Sequence, residues 1–434
     1  MISAYIDTYY KRSLAQQQVY SPLQASLEVE TCVIGGGLAG LSIALELSRL
    51  GRSVALLEAN RIAWGASGRN GGFVSPGYAC DLEKIENRVG TDHARDLYRL
   101  SMEGVSIVAE NIRSLAIEHA IPVSGIYSVI RYDGGDELQA YRDRMARDFG
   151  KSLHYVSRDE LRETLRSPKY HQALYSPDSF HFHPLNYCQA LAGEICRLGG
   201  HIYEETRALS IDLDRPEKLI RTATGQIKAQ HVVFAGGGYT DRLCAELSRA
   251  YLPIATYVLL TERNPELIKS AIRTEAGIGD DRRAGDYYRV VDGGRLLWGG
   301  RITTRRSDPN NLAQLLRQEM VSTYPQLAEL KVEIAWSGLM SYARHLMPQI
   351  GQLAPGIWHA TAFGGHGMNT TSIGGRLIAE GIAGQSDRYR LFAPFGLEWN
   401  GGPFGLIAAQ LTYWTYQLQD LWRERKSRYQ PQMA

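Results

Sequence analysis

Apolar residues fill positions 32–34 and 54–57 almost without a polar break, as in strands covered on both faces. Between these runs apolar positions recur at helical spacing from Leu38 onward. The pattern predicts strand, turn, helix and strand over residues 29–58, with Gly35, Gly37 and Gly40 in the turn at GxGxxG spacing. Gly35 permits the tight turn, Gly37 lets backbone N–H groups approach a ligand, and Gly40 lets helix and strand pack closely. The helix start carries roughly half a positive charge, which favours a diphosphate. The second strand ends on Glu58, 23 residues after Gly35, where a carboxylate accepts ribose hydroxyls. Gly35, Gly36, Gly37, Leu38, Ala39, Gly40, Glu58 and Ala59 are therefore candidate contacts to an adenine dinucleotide.

Further along, a helical pattern covers residues 93–119 and a strand pattern 125–131. His183-Pro184-Leu185 opens a helix that runs through Leu198 to the Gly199-Gly200 stop, with a strand at 201–203. A strand at 231–235 enters Gly236-Gly237-Gly238. Between about 250 and 340, β-branched and aromatic runs at 253–261, 286–291 and 295–298, with a helix at 311–323, predict a mostly antiparallel sheet. A strand at 357–361 then leads through FGGHGMN into a helix over 370–382. The expected organisation is discontinuous: residues 27–80, 150–245 and 340–395 in a cofactor domain, 81–149 and 246–339 in a substrate domain, and 396–434 as a helical tail.

The 434 residues suit about two domains. With 44% hydrophobic and 22% charged residues the composition is that of a globular protein, and a net charge of +2 without a basic block gives no reason to expect nucleic acid. Five scattered cysteines without a CxxC point to reduced thiols rather than disulfides. His181 and His183, two apart on a loop, do not make a metal site, so no metal is expected. The N-terminus lacks the apolar core of a signal peptide, and no 18-residue apolar stretch exists. The expectation is a cytoplasmic protein. The tail pattern 403–422 ends in RERKSR, so it either lies on the inner face of a membrane or packs on its own domain or a partner.

Three further glycine-bearing turns suit a cofactor gripped along its length, a flavin rather than a nicotinamide. The run GASGRNGG offers backbone amides with Gly65, Ala66, Ser67, Arg69, Asn70, Gly71 and Gly72, a nest for a pyrophosphate or a ring edge. Ala235 and Gly236 end another strand. Gly364, Gly365, His366, Gly367 and Met368 precede the last helix, whose dipole faces the N1–C2 edge of a flavin, where negative charge develops.

The fingerprint, GASGRNGG, His-Pro-Leu-Asn, YYR followed by RLLWGG, MPQIG and GHG before the last helix resemble the D-amino-acid-oxidase-like FAD oxidoreductases. Among them the chain is most like the bacterial γ-glutamylputrescine oxidases, with L-pipecolate, sarcosine and glycine oxidases as relatives. The resemblance covers nearly the whole chain. It implies an α/β fold: an FAD-binding Rossmann-like domain of glutathione-reductase type, interwoven with an α+β substrate domain on a mostly antiparallel sheet. It implies oxidation of a C–N bond, with oxygen reduced to hydrogen peroxide or electrons passed to a quinone. It also places Ala208 where a strand backbone meets the adenine. Where sarcosine oxidases attach flavin through a Cys, this chain has Gly338, so the resemblance implies non-covalent FAD. Met340 stands where glycine oxidases carry a carboxylate-binding Arg, and Leu296-Leu297-Trp298 where sarcosine oxidases carry an oxygen-activating Lys.

The candidate reacting groups follow. His366 is brought close to the ring by its glycine neighbours, either through its imidazole or through its backbone alone. Trp298 is the second candidate beside the flavin. Arg301 is either a bidentate carboxylate ligand or a solvated residue of a basic loop with Arg305 and Arg306, and Arg344 is the other carboxylate candidate. Tyr287, Tyr288, Trp298, Trp336 and Tyr342 either wall an apolar amine pocket or belong to a core. The substrates expected are a γ-glutamylated polyamine or a cyclic amino acid such as L-pipecolate.

Overall fold

The computed structural model describes residues 4–240, 243–282, 285–304 and 308–428. Arg305, Arg306 and positions 429–434 of the expected tail lie outside the described residues.

Two sheets organise the chain. In the first, Ser26–Ile34 sits between Val54–Leu57 and Gln226–Phe234, all parallel, with His201–Tyr203 beyond one side and Ile357–Thr361 beyond the other. Gln349–Ala354 closes that edge antiparallel to Ile357–Thr361, and Ser210–Asp212 and Lys218–Arg221 extend Gln226–Phe234. Burial of every residue in Val54–Leu57 and in Ile357–Thr361 explains the unbroken apolar runs, because helices cover the sheet. Leu38–Arg49, Gly367–Ile382 and Thr91–Ser114 stack in that cover through small residues. A Cβ on Gly375 would stand 2.5 Å from the Ser42 Cβ, and one on Gly104 would stand 2.3 Å from the Asn369 carbonyl.

The second sheet has nine strands and is mostly antiparallel. Its spatial order is Val332–Ala343, Tyr251–Thr261, Arg295–Thr303, Tyr287–Val291, Gly277–Asp280, Val123–Val129, Ala173–His181 and Phe73–Val74, with His154–Val156 paired to Ala173–His181. Phe73–Val74, His154–Val156 and Ala173–His181, grouped with the cofactor segments on sequence, are hydrogen-bonded into this sheet. Strand partners fix that, and sequence proximity does not.

Helix starts follow local chemistry. His183 caps Pro184–Arg197, its Nδ1 accepting the Asn186 N–H at 3.1 Å, with Pro at the first turn where its missing donor costs nothing. The tail forms Gly402–Arg428. Among the described residues no helix is long and apolar enough to cross a membrane.

Candidate active site

At the C-terminal ends of the parallel strands four turns converge. Gly35 has φ +114°, and a Cβ there would lie 2.7 Å from the Ala235 carbonyl oxygen and 2.9 Å from the Gly236 Cα. Gly40 is tighter, since its Cβ would stand 1.8 Å from the Gly35 oxygen. That distance is the physical content of the third glycine: helix Leu38–Arg49 touches its own turn backbone to backbone. Leu38 and Ala39 send their side chains into the core and leave only main chain at the crevice. Glu58 closes the turn from the next strand. Its carboxylate accepts the Gly36 N–H at 2.7 Å and the Asn60 N–H at 2.8 Å, and burial raises its pKa. Ala59 is half-buried beside it. Ala208 is buried in the core group that holds Leu57 and Phe234.

The Gly65–Gly72 loop is braced from inside. Ser67 Oγ accepts the Leu38 N–H at 2.8 Å, tying this loop to the start of the first helix. Asn70 donates to the Ala66 and Ser67 carbonyls and accepts the Gly72 N–H. Gly65 lies under Tyr239, where a Cβ would stand 2.8 Å from the ring edge. Arg69 stacks 4.3 Å over Trp64 and donates from Nε to the Trp64 carbonyl, and Trp336 Nε1 donates to the Arg69 carbonyl. Trp336 is therefore a prop beneath the loop. Arg69 lines the cavity, and its Nη2 is buried with no acceptor among the described residues.

Opposite, Gly364–His366 forms one turn of 3-10 helix that passes into Gly367–Ile382. Tyr342 packs on Gly364 and Gly365, whose Cβ atoms would stand 2.8 and 2.9 Å from it. Burial pushes its hydroxyl pKa up to about 12 although the Gly365 N–H favours the anion, so the phenol is neutral. Burial also lowers the His366 pKa, which keeps the imidazole uncharged. A cavity of about 1390 Å3 joins Ala66, Arg69–Gly72, Gly365, His366 and Met368 to Tyr287, Met340, Tyr342, Arg301 and Arg344.

Two expectations are corrected here. Trp298 and Tyr288 do not face the cavity. Tyr288 pairs with Trp298 across the strands, so both project from the same face of the sheet, and their rings stack at 4.0 Å and 6°. Both are fully buried in the core, where the Tyr288 hydroxyl bonds to Tyr170 and Tyr324. The neighbouring pair, Tyr287 and Gly299, projects the other way. Tyr287 lies flat over Gly299 and Gly71, where any Cβ would enter its ring, and it lines the cavity. A tyrosine opposite a glycine was the sequence signal for this face. Arg301 has φ +53° and pairs with Glu319 at 3.0 Å; Arg344 is exposed at the cavity rim. Nothing in the sequence pattern singled out Glu319, or the closure of the cavity by the tail through Gln410 and Tyr413. No spacing connects residue 410 to residue 301.

Parallel strands ending in glycine turns, two helix starts and a ribose-type carboxylate fit a flavin dinucleotide. The FAD dependent oxidoreductase family matches residues 30–381, and the chain belongs to it. It is an FAD-dependent oxidoreductase acting on CH–NH or CH–NH2 donors. Among relatives, the gamma-glutamylputrescine oxidoreductase of Escherichia coli (strain K12) is 33% identical over 394 residues, 90% of this chain and 92% of that one. A probable oxidoreductase, OrdL, of Haemophilus influenzae is 29% identical, over 89% of this chain and 90% of that one. In fold the chain is similar to glycine oxidase from Geobacillus kaustophilus, with a TM-score of 0.70 at 20% identity over 88% of this chain and 98% of that one. L-proline dehydrogenase from P. horikoshii gives the same TM-score of 0.70, at 18% identity over 86% of this chain and 100% of that one.

Proposed function

We propose that this chain oxidises a carboxylate-bearing amine of γ-glutamylputrescine type. Hydride leaves the carbon next to nitrogen, the resulting imine is hydrolysed by water, and oxygen is reduced to hydrogen peroxide. When bound, FAD supplies the two-electron acceptor. Gly35–Gly40 and Glu58 would hold its diphosphate and ribose, and Ala66–Gly72 with Gly364–Met368 would bracket its ring without a covalent bond. Gly338, where a tethering cysteine would stand, has no side chain and packs over Ala66 and Arg69.

The remaining work belongs to side chains. Tyr287, Met340 and Tyr342 exclude water from the reacting carbon. The neutral His366 and the neutral Tyr342 hydroxyl add no cation beside an amine that must react deprotonated. Arg301 anchors the distal carboxylate in bidentate fashion, with Arg344 at the rim as a second cation. The observation that carries this reading is the cavity itself. The space of about 1390 Å3 that meets the ring-side turns Ala66, Arg69–Gly72 and Gly365–His366 continues to Arg301 and Arg344, so cationic side chains stand on the wall away from those turns. The relation to the Escherichia coli enzyme supports the same substrate class. Anaerobic bleaching of the bound flavin by γ-glutamylputrescine, L-pipecolate, sarcosine and glycine, followed by peroxide detection in air, tests it. Bleaching by γ-glutamylputrescine at the lowest concentration is expected. Preference for L-pipecolate, or turnover with a quinone and no peroxide, would replace the substrate or the acceptor in this assignment.

A further inference from the structure

The tail helix has two faces. The inner one is anchored to the second sheet: Tyr413 is buried and its hydroxyl accepts the Ile302 N–H, Gln410 accepts from Thr303 and Thr304, and Glu424 pairs with Arg131. The outer one carries Phe404, Ile407, Leu411, Trp414, Leu418 and Leu421, each between 52% and 76% exposed. Their alternating spacing of three and four residues draws one seam along about 25 Å of helix. Trp422 flanks it at one end, while Trp399 and Phe404 at the other also border the cavity, so eight of the thirteen exposed large hydrophobics among the described residues lie on or next to this helix. Scattered apolar residues need no explanation, but a continuous stripe of this size does.

We infer that this seam is the dimer interface, packing against the same helix of a second copy about a two-fold axis, with the helices antiparallel. Area supports it. At the observed exposures these side chains offer on the order of 900 Å2 per chain, near the ~800 Å2 per partner of a stable interface. Charge chooses the occupant. Residues 402–419 hold no Asp, Glu, Lys or Arg, so a self-pair meets no like-charge repulsion along its length. The basic run 423–428 sits at one end, and an antiparallel pair keeps the two basic ends apart. A helix that lies on lipid carries Lys and Arg along its polar side, whereas here the opposite side presents Gln410, Tyr413 and Tyr416, half-buried or buried against the protein.

Sedimentation of the full FAD-loaded chain at micromolar concentration, beside flotation with phosphatidylglycerol–phosphatidylethanolamine vesicles, tests this. The wild type is expected to be a dimer that does not float. Leu411→Glu/Leu418→Glu is expected to be a monomer with unchanged flavin content and circular dichroism. Leu418→Ser, milder and safe for folding, is expected to raise the dimer Kd about ten-fold. A monomeric wild type, a dimer indifferent to Leu418→Ser, or wild type that floats with the vesicles overturns the inference. Flavin content and turnover are read separately, so none of these outcomes bears on the substrate assignment.

Discussion

The parallel sheet and the antiparallel sheet contribute to the site by different means. At the parallel sheet the contacts are main chain, at turns where side chains are excluded: a Cβ on Gly40 would stand 1.8 Å from a carbonyl oxygen, and one on Gly35 2.7 Å from another. At the antiparallel sheet they are side chains selected by which face of a strand they occupy, Tyr287 toward the cavity and Tyr288 into the core. A glycine cradle tolerates no variation and serves any ligand with the same diphosphate. A wall of alternating side chains can change its chemistry one residue at a time. On the proposed reading the first half defines the cofactor, and the second selects the substrate.

This contrast breaks most visibly at Gly40. Gly40→Ala is expected to cost upwards of about 3 kcal/mol and to yield flavin-free or insoluble protein, read by thermal melting and flavin-to-protein ratio. An alanine variant that melts normally and is fully yellow would mean the helix can draw back from its turn. Next in size, Arg301→Leu should raise KM for a carboxylate-bearing amine about 10- to 100-fold with kcat within about three-fold, the pattern of lost uniform binding. Its melting point should change little, because Glu319 also has Arg282 nearby. An unchanged KM moves the anchoring role to Arg344.

The two adjacent tyrosines sharpen the comparison. Tyr288→Phe leaves the Tyr170 and Tyr324 hydroxyls short of a partner and should cost about 1–3 kcal/mol of stability with no kinetic effect. Tyr287→Leu should do the reverse, raising KM several-fold at constant melting temperature. Equal effects from both would contradict the face assignment.

A separate effect concerns pH. Burial and the neighbouring Arg289 push His181 and His183 down to about 3, below the ~6.5 of an unfolded histidine. Between these values the unfolded chain binds more protons. Stability is therefore full above pH ~6.5 and falls as pH drops toward 3, by up to ~1.4 kcal/mol per unit for each histidine. His183→Asn keeps a side-chain acceptor at the helix start and should flatten this acid limb in melting curves taken from pH 7 to 4.

What was legible in the sequence divides along the same line. Residues 29–58 could be read almost atom by atom, because turn, helix start and carboxylate are local and each glycine has one steric reason. The helix after His183 and the strand at 357–361 were legible for the same cause. Tyr288 and Trp298 were misplaced because alternation shows that two faces exist without showing which one meets the cavity. That choice follows from what packs on each face, and the Tyr288 face is covered by Leu316, Met320 and Tyr324, residues distant in sequence. Glu319 beside Arg301, and Gln410 on the cavity wall, are likewise products of packing alone.

The most direct measurement is the flavin released when the purified chain is precipitated with acid. Convergent glycine turns holding one FAD without a covalent bond predict a yellow protein that loses close to one equivalent of FAD to the supernatant. A colourless chain that takes up no FAD on reconstitution, or flavin that stays with the precipitate, would contradict it.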